Sequence, residues 1–510
     1  MDAPTAVRRT SAVMHGHVVR ALGTDMPTLT FRLENESGEA VAVSPVLKAA
    51  GDSVSWKANG LTAGRHYACR LQGQHGRAEL QSAPVTFVTQ PNVRPALNNF
   101  VLLSHGPTSV ILAYTVSDTG GEPVTTTGIS YKEEGTGESA TVRVVPDSAV
   151  GRRARVSIGS LSQRKNYQFV AFAENTIGRT ESQPLSYTTG STVVLEQPGD
   201  LSLLMSDDLY RHRRLAFSGK MNGDDLLCLR RMMGRDAEGA PTAGQLADVD
   251  LTDVDLVAGG ASYGSGRYVQ DHVVGYGLFA DCTQLTRLLL PASATTIEKD
   301  ALRGCTALSS LTLPASAAAV TPSADCPALA SIQVSAANEH YASIDGVLFD
   351  KKATRIVWFP MGKTGDYVLP STVTAVGDYA FQQCRVTRFV LPSSLTSLGR
   401  AVFFGSSVEE VSMPDGLKLV PTATFQQCGK LGTVRLGKAT ELVSDYAFDG
   451  CPLSDLYVSS ALPPVCTEHA FATTGRSITK NCVLHVPAKS LALYRADATW
   501  GQFTHITAIK

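Results

Sequence analysis

Phe425-Gln426-Gln427-Cys428-Gly429-Lys430-Leu431-Gly432-Thr433-Val434-Arg435-Leu436 decides the fold of this chain. An aromatic residue stands three positions ahead of a cysteine, and an apolar L-x-x-L-x-L-type run follows it. The same order returns around Phe279 and Cys282 (Leu285-Leu288-Leu290) and around Leu302 and Cys305 (Leu308-Leu311-Leu313). It returns again at Cys326 (Leu329-Ile332-Val334), at Phe381 and Cys384, and at Phe448 and Cys451 (Leu453-Leu456-Val458). In one copy Ser406 replaces the cysteine, ahead of Val408-Val411-Met413, and a proline often ends the run, as at Pro291, Pro314, Pro392 and Pro414. The cysteines are separated by 23 residues (Cys282 to Cys305), 21 (Cys305 to Cys326), 44 (Cys384 to Cys428) and 23 (Cys428 to Cys451). This is the period of a stacked-repeat architecture.

Each unit reads as a short strand, a turn and a return segment. Alone it cannot bury its apolar face; stacked on its neighbours it builds a shared core. Equivalent Leu and Val positions then form ladders, as do the Phe and Cys positions. No C-x-x-C occurs among the ten cysteines, so a zinc ribbon or a thioredoxin-type motif is excluded. Small, apolar Cys suits a tight buried corner. The competing reading, a row of reactive thiols, lacks the basic residue or helix N-terminus that would lower a thiol pKa.

Leu369 to Cys384 (LPSTVTAVGDYAFQQC) resembles the BspA-type leucine-rich repeats of bacterial surface proteins. Asp345 to Asp350 (DGVLFD) resembles that family's hairpin insert and accounts for the 58 residues between Cys326 and Cys384. The segment Met221-Asn222-Gly223-Asp224-Asp225 through Met232 is similar to the family's opening segment and reads as a helix. Val486-Pro487 with Tyr494, Trp500, Phe503 and Ile506 matches its closing segment. The resemblance implies a solenoid over 191–510, with an opening cap at about 195–265, the insert at about 338–368 and a closing cap at about 482–510.

Residues 1–190 lack this period. They show alternating strands parted by Gly, Pro, Asn and Ser turns, the pattern of β-sandwiches. Leu61 to Arg70 (LTAGRHYACR) precedes Pro84-Val85-Thr86-Phe87, and Leu161 to Val170 (LSQRKNYQFV) precedes Pro184-Leu185-Ser186-Tyr187. Tyr67 and Tyr167, each after a Leu-led turn, resemble the tyrosine corner of fibronectin type III domains. Ala173 to Gly178 and Gly121 to Val124 strengthen the second match. The expected class is mainly β: two fibronectin type III-like sandwiches, 1–91 and 92–190, then the leucine-rich repeat solenoid. Helix above about a third of residues would contradict it.

Composition agrees. Across 510 residues, 43% are hydrophobic and 18% charged, which suits packed cores and argues against disorder. A formal net charge of −1 provides no electrostatic footprint for nucleic acid. No run approaches the ~18 apolar residues of a membrane-spanning helix, so direct membrane insertion is not expected. Met1-Asp2-Ala3-Pro4-Thr5 does not begin a secretory signal. The resemblance nevertheless implies a cell-surface or secreted protein, lipid-anchored at the outer membrane through a segment upstream.

Three motifs invite chemistry, and for each the structural reading is stronger. Gly260-Ala261-Ser262-Tyr263-Gly264 is a literal G-x-S-x-G, but a nucleophile elbow needs a following helix and Ser265-Gly266-Arg267-Tyr268 is a poor one. Asp248, Asp250, Asp253 and Asp255 offer hard oxygens for Ca²⁺ but lack the glycine and closing Glu of a calcium loop; they also fit a repeat strand. His15 and His17 share one side of a strand without a predictable third ligand. The sequence therefore calls for no catalytic residue, cofactor or metal.

What remains is binding. In L-x-x-L-x-L the residues between the ladder positions point outward. They form a file: Arg287 and Leu289, Ser310 and Thr312, Ser331 and Gln333, and beyond the insert Arg388 and Val390, Glu410 and Ser412, Thr433 and Arg435, Asp455 and Tyr457. The first half is small and neutral. The second carries Arg388, Glu410, Arg435, Asp455 and Tyr457, suited to hydrogen-bonding an extracellular protein or glycan. The expectation is a non-enzymatic surface adhesion or binding protein. The alternative is a glycan-binding accessory component of an outer-membrane polysaccharide uptake system.

Overall fold

The computed structural model describes residues 1–19, 27–48, 52–472 and 477–509. It is mainly β: the α-helices among these residues are Leu201–Leu204, Gly223–Met232, Ile478–Asn481 and Leu491–Ala496. Contacts divide the chain into two units. One comprises Met1–Leu102, Ile111–Ile158 and Lys165–Thr188, the other Leu103–Val110, Gly159–Arg164 and Thr189–Lys510.

The first unit holds two antiparallel sandwiches built on one plan. In the first, strands Ser11–His17 and Ser53–Asn59 pair with each other. They face a sheet in the order Ala40–Val43, Thr28–Glu34, His66–His75, Ala78–Gln81, with Val85–Val88 also on His66–His75. Alternation along His66–His75 turns Tyr67, Cys69 and Leu71 inward against Met14, Phe31 and Leu33. The Tyr67 hydroxyl accepts from the Thr62 amide at 2.8 Å, anchoring the preceding turn to the strand. The second sandwich repeats the order with Ala140–Val144, Thr126–Glu133, Asn166–Asn175 and Gly178–Glu181, plus Leu185–Thr188. There Tyr167 donates to Glu133 at 3.3 Å.

In the second unit each coil of the solenoid carries two strands, so the return segment is itself paired. The longer strands form the face file and two-residue strands the return file. The face file is parallel and begins inside the opening cap: Thr192–Leu195, Arg214–Met221 and Asp248–Leu256 precede Arg287–Leu289, Ser310–Leu313 and Ser331–Val334. The return file starts with Val273–Val274, Thr296–Ile297 and Ala319–Val320. After the insert the face file resumes with Tyr367–Val368 and Phe389–Val390. It continues through Glu410–Ser412, Thr433–Leu436, Asp455–Val458, Val483–Val486 and His505–Ala508.

The corner before each cysteine explains why the period is so strict. Asp281, Gly304, Asp325, Gln383, Gly405, Gln427 and Gly450 all adopt φ between 53° and 74°, the left-handed region. Glycine is comfortable there; Asp and Gln pay a modest conformational cost. The turn throws the next residue inward. Cys305 donates its thiol to the Phe279 carbonyl (3.2 Å), Cys326 to Leu302 (3.1 Å), Cys428 to Phe403 (2.9 Å) and Cys451 to Phe425 (2.9 Å). These four thiols thus each satisfy a carbonyl of the coil before, while Cys282, in the first repeat, bonds the Ala280 carbonyl of its own coil. Beside this row Phe381, Phe403, Phe425, Phe448 and Phe471 stack at 5.1–5.9 Å with planes within 14°. That matches the inter-strand spacing of about 4.8 Å plus modest slip.

The insert is a three-stranded meander. Tyr341–Ile344 and Val347–Asp350 form the hairpin, and Arg355–Trp358 turns back to join the return file beside Ala375–Val376. It divides the core. One apolar cluster runs from Val347 to Phe503 and does not take in Leu308, Leu311, Leu329 or Ile332. The single continuous core that stacking alone predicts is therefore broken, because the hairpin replaces one coil's ladder residues. Backbone bonds bridge the seam: Ile332 donates to the Gly346 carbonyl (2.8 Å) and Gly362 to that of Leu329 (2.7 Å).

Both ends are closed. At the opening cap, Asn222 and Asp225 form a reciprocal capping box on helix Gly223–Met232. At the closing cap, Trp500 donates to the Pro464 carbonyl (2.7 Å) and packs edge-on against Phe471.

The ten cysteines are free and all but Cys466 are buried. Burial pushes the thiols of Cys326 and Cys384 up to about 12, and that of Cys282 to about 11. This removes the reactive-thiol reading. Because the folded chain holds these thiols neutral while the unfolded chain ionises them, stability is full below the ordinary thiol pKa and declines above it. The melting temperature should therefore fall progressively as pH rises from about 9 towards 12, and a thiol-reactive chromogen at pH 8 should label the native chain far more slowly than the denatured one. Phe425→Ala, which opens a gap in the middle of the aromatic stack, should cost about 3–5 kcal/mol in chemical denaturation.

Candidate functional site

Glu410, Arg435, Asp455 and Tyr457, four of the five residues read as a binding surface, lie on one parallel sheet, and a single bridge from Arg388 to Glu410 joins the fifth to it. Its register aligns them in two columns. Arg388 bridges to Glu410, which pairs with Thr433, then Asp455 and Val483. Alongside, Val368 pairs with Val390, and Ser412 with Arg435, Tyr457 and His485. Between them Phe389, Val411, Val434, Leu456 and Leu484 turn into the core.

Because equivalent positions repeat at strand spacing, flat side chains in one column must stack. The Arg435 guanidinium carbon lies 3.8 Å above the Tyr457 ring centroid. On the other face of that ring the His485 imidazole lies 4.1 Å away, with planes 7° apart. Diagonal partners fix the charges. Arg435 Nε reaches Glu410 at 3.3 Å, and His485 Nε2 meets Asp455 Oδ1 at 2.8 Å. The His485 hydrogen bond, with Ser454, holds the Asp455 carboxyl below its ordinary pKa. Arg388 makes no ion pair among the described residues, so its cation is open to a partner.

This arrangement has two chemical consequences. Both faces of Tyr457 are covered, so the ring offers a ligand only its edge and hydroxyl, not a stacking platform. The polar stack is also preorganised, since each planar group is fixed on two sides before anything binds. At the head of the same column, Val368 and Val390 are 66% and 48% exposed, an apolar pair beside Arg388.

His485 and Val368 are absent from the sequence reading. Both signals were present: Val483-Leu484-His485-Val486 has the strand alternation but falls in the closing segment, and Tyr367-Val368-Leu369 precedes Pro370 as other runs precede their prolines. The first half of the file is less neutral than its sequence indicates. The cap strands extend it, and Asp248 is gripped by Arg214 (2.6 Å) and Arg287 (3.0 Å).

The remaining motifs have structural partners. Asp248–Leu256 is a face-file strand, with Asp250 accepting from the Thr252 amide. Among the described residues no group of three or more His, Cys, Asp or Glu side chains is gathered to hold a metal ion. His15 bonds Thr5 and His17 bonds Ser53 and Asp2. Ser262 accepts from the Gly264 amide at 3.2 Å, in a turn followed by the Tyr263–Arg267 loop and no helix.

Residues 272–356 and 358–475 match the model of the family described as BspA type leucine rich repeat region (6 copies). No curated protein matches the chain. Similar solved structures include the pneumococcal vaccine antigen PcpA, with 16% identity over 63% of this chain and 80% of that one and a TM-score of 0.38. A leucine rich cell surface protein from Faecalibacterium prausnitzii A2-165 shares 19% identity over 60% of this chain and 93% of that one, with a TM-score of 0.36. A two fibronectin type-III domain segment from chicken tenascin shares 17% over 36% of this chain and 94% of that one, with a TM-score of 0.21.

Proposed function

We propose that this chain, in which residues 272–475 carry BspA-type leucine-rich repeats, is a non-enzymatic cell-surface protein that binds an extracellular protein through the C-terminal half of its face file. The observation that carries this reading is the column from Val368 to His485. Exposed aliphatics stand at one end and a fixed Arg435–Tyr457–His485 stack at the other, with the unpaired Arg388 beside the aliphatics at the head of the adjacent column. An apolar patch rimmed by Arg and Tyr is the composition of protein interfaces. Covered ring faces disfavour a sugar at this face, because a pyranose seeks an open aromatic platform. The surface location is supported by the leucine-rich-repeat likeness, one solved relative being described as a cell surface protein. Among the described residues no helix is long and apolar enough to cross a membrane.

The test is binding of the purified chain to arrayed extracellular proteins and glycans. Against the captured protein partner, Arg435→Ala with Tyr457→Ala should lower affinity about thirtyfold or more, as loss of about 2 kcal/mol at a hot spot implies. The melting temperature should move by only a few degrees, since both side chains lie outside the core. Full attachment by the double variant would sink the assignment, and capture of glycans alone through these residues would favour the polysaccharide-uptake reading.

A further inference from the structure

We propose a second binding site, for a carboxylate-bearing sugar, in a cavity where the opening cap meets the first repeat. The cavity has a volume of about 350 Å³ and is lined by Arg230, Arg267, Arg303, Glu238, Asp281 and Tyr276, among others. None of these residues belongs to the face-file site.

Arg230 is the reason to expect an anion. It stands on helix Gly223–Met232 and is 5% exposed. Its Nη1 donates to the carbonyls of Gly277 (3.0 Å) and Leu278 (2.7 Å), both neutral groups. Its Nε has no hydrogen-bond partner, and the side chain makes no ion pair among the described residues. A buried cation without a counter-charge is costly, and the cavity it borders is where one can be supplied. Arg303 lies across the cavity, held by Asp281 at 3.2 Å. Arg267 is fixed 4.0 Å above the ring of Tyr276. Three guanidiniums face the carboxylates of Glu238 and Asp281 here, and Glu298 in the adjoining cavity balances the third, so the call for an anion comes from the unpaired Arg230 and not from net charge. A single carboxylate matches that one unpaired cation; a phosphate or sulfate dianion overshoots it.

The surroundings select a sugar among carboxylates. Tyr263 and Arg267 also line an adjoining cavity of about 280 Å³, which carries Tyr268, Gln270 and Glu298. Tyr268 is 62% exposed, so its ring is open, in contrast to the covered Tyr457. An open phenol beside an amide and a carboxylate offers a platform for the C–H face of a pyranose and partners for its hydroxyls. The combined dimensions suit one or two sugar residues.

The experiment is calorimetric titration of the whole chain with D-glucuronate, D-glucose, acetate and sulfate. Arg230 also ties the helix to Gly277 and Leu278, so the variants are Arg267→Gln and Arg303→Gln, both at exposed positions, with melting temperatures recorded to verify folding. Millimolar or tighter binding of glucuronate is expected, at least tenfold tighter than glucose, acetate or sulfate, and at least tenfold weaker in each folded variant. The Arg435→Ala, Tyr457→Ala double variant should bind glucuronate like the unaltered chain, which separates this site from the face-file reading. No binding of glucuronate, or equal binding by the folded variants, overturns the proposal. Equal affinity for sulfate or acetate reduces the cavity to an anion hole and overturns the sugar assignment.

Discussion

A thiol hydrogen bond from one coil to a carbonyl of the coil before it sets the geometry on which the solenoid depends. It works because the residue ahead of each repeat cysteine from Cys282 to Cys451 is left-handed, which turns the small side chain inward at a fixed point of those coils. Ser406, the one departure in the row, turns to the coil after it: its hydroxyl lies 3.4 Å from the Cys428 thiol. With that corner fixed, the Phe stack, the aliphatic ladder and the outward file have no freedom of register. The character of the outward face is thus a by-product of the core, since residues that must stack inside force their neighbours to stack outside.

The same constraint explains the character of the face. In an ordinary antiparallel sheet a guanidinium, a phenol and an imidazole on adjacent strands would find many rotamers. Here parallel, in-register strands bring equivalent positions together at one spacing, and flat groups adopt the one arrangement in which they share faces. Arg435, Tyr457 and His485 therefore form a rigid polar edge instead of three mobile side chains. Glu410 and Asp455, one column across, remove most of the net charge of this edge.

The class of fold and the five file residues were legible because a repeat states its own alignment: Cys428 and Cys451 identify each other, and Arg435 and Tyr457 follow from them. What escaped notice lies where the repeat grammar stops. His485 sits in a coil without a preceding Phe–Cys signature, and the cap strand Arg214–Met221 extends the file without matching its spacing, whereas the alternating Asp248–Leu256 run already fits a repeat strand. The Arg230 cavity was invisible for a different reason. Its arginines come from a helix, a loop and a repeat corner more than seventy residues apart, and only the docking of cap on coil brings them together. Periodicity reports contacts between like positions and is silent about contacts between unlike ones.

The hairpin between Tyr341 and Asp350 also bears on how such a chain responds to pulling. A solenoid whose coils share one core transmits load evenly, and each interface resembles the next. This one has a seam at the hairpin, crossed by backbone bonds at Gly346 and Gly362 and by side-chain bonds from Ser343 to the Ile332 carbonyl and from Gln383 to Asp325. Tension along the stack would meet an interface there unlike the one between ordinary coils, and the coils beyond it, with their closed Trp500 end, hold an apolar cluster of their own.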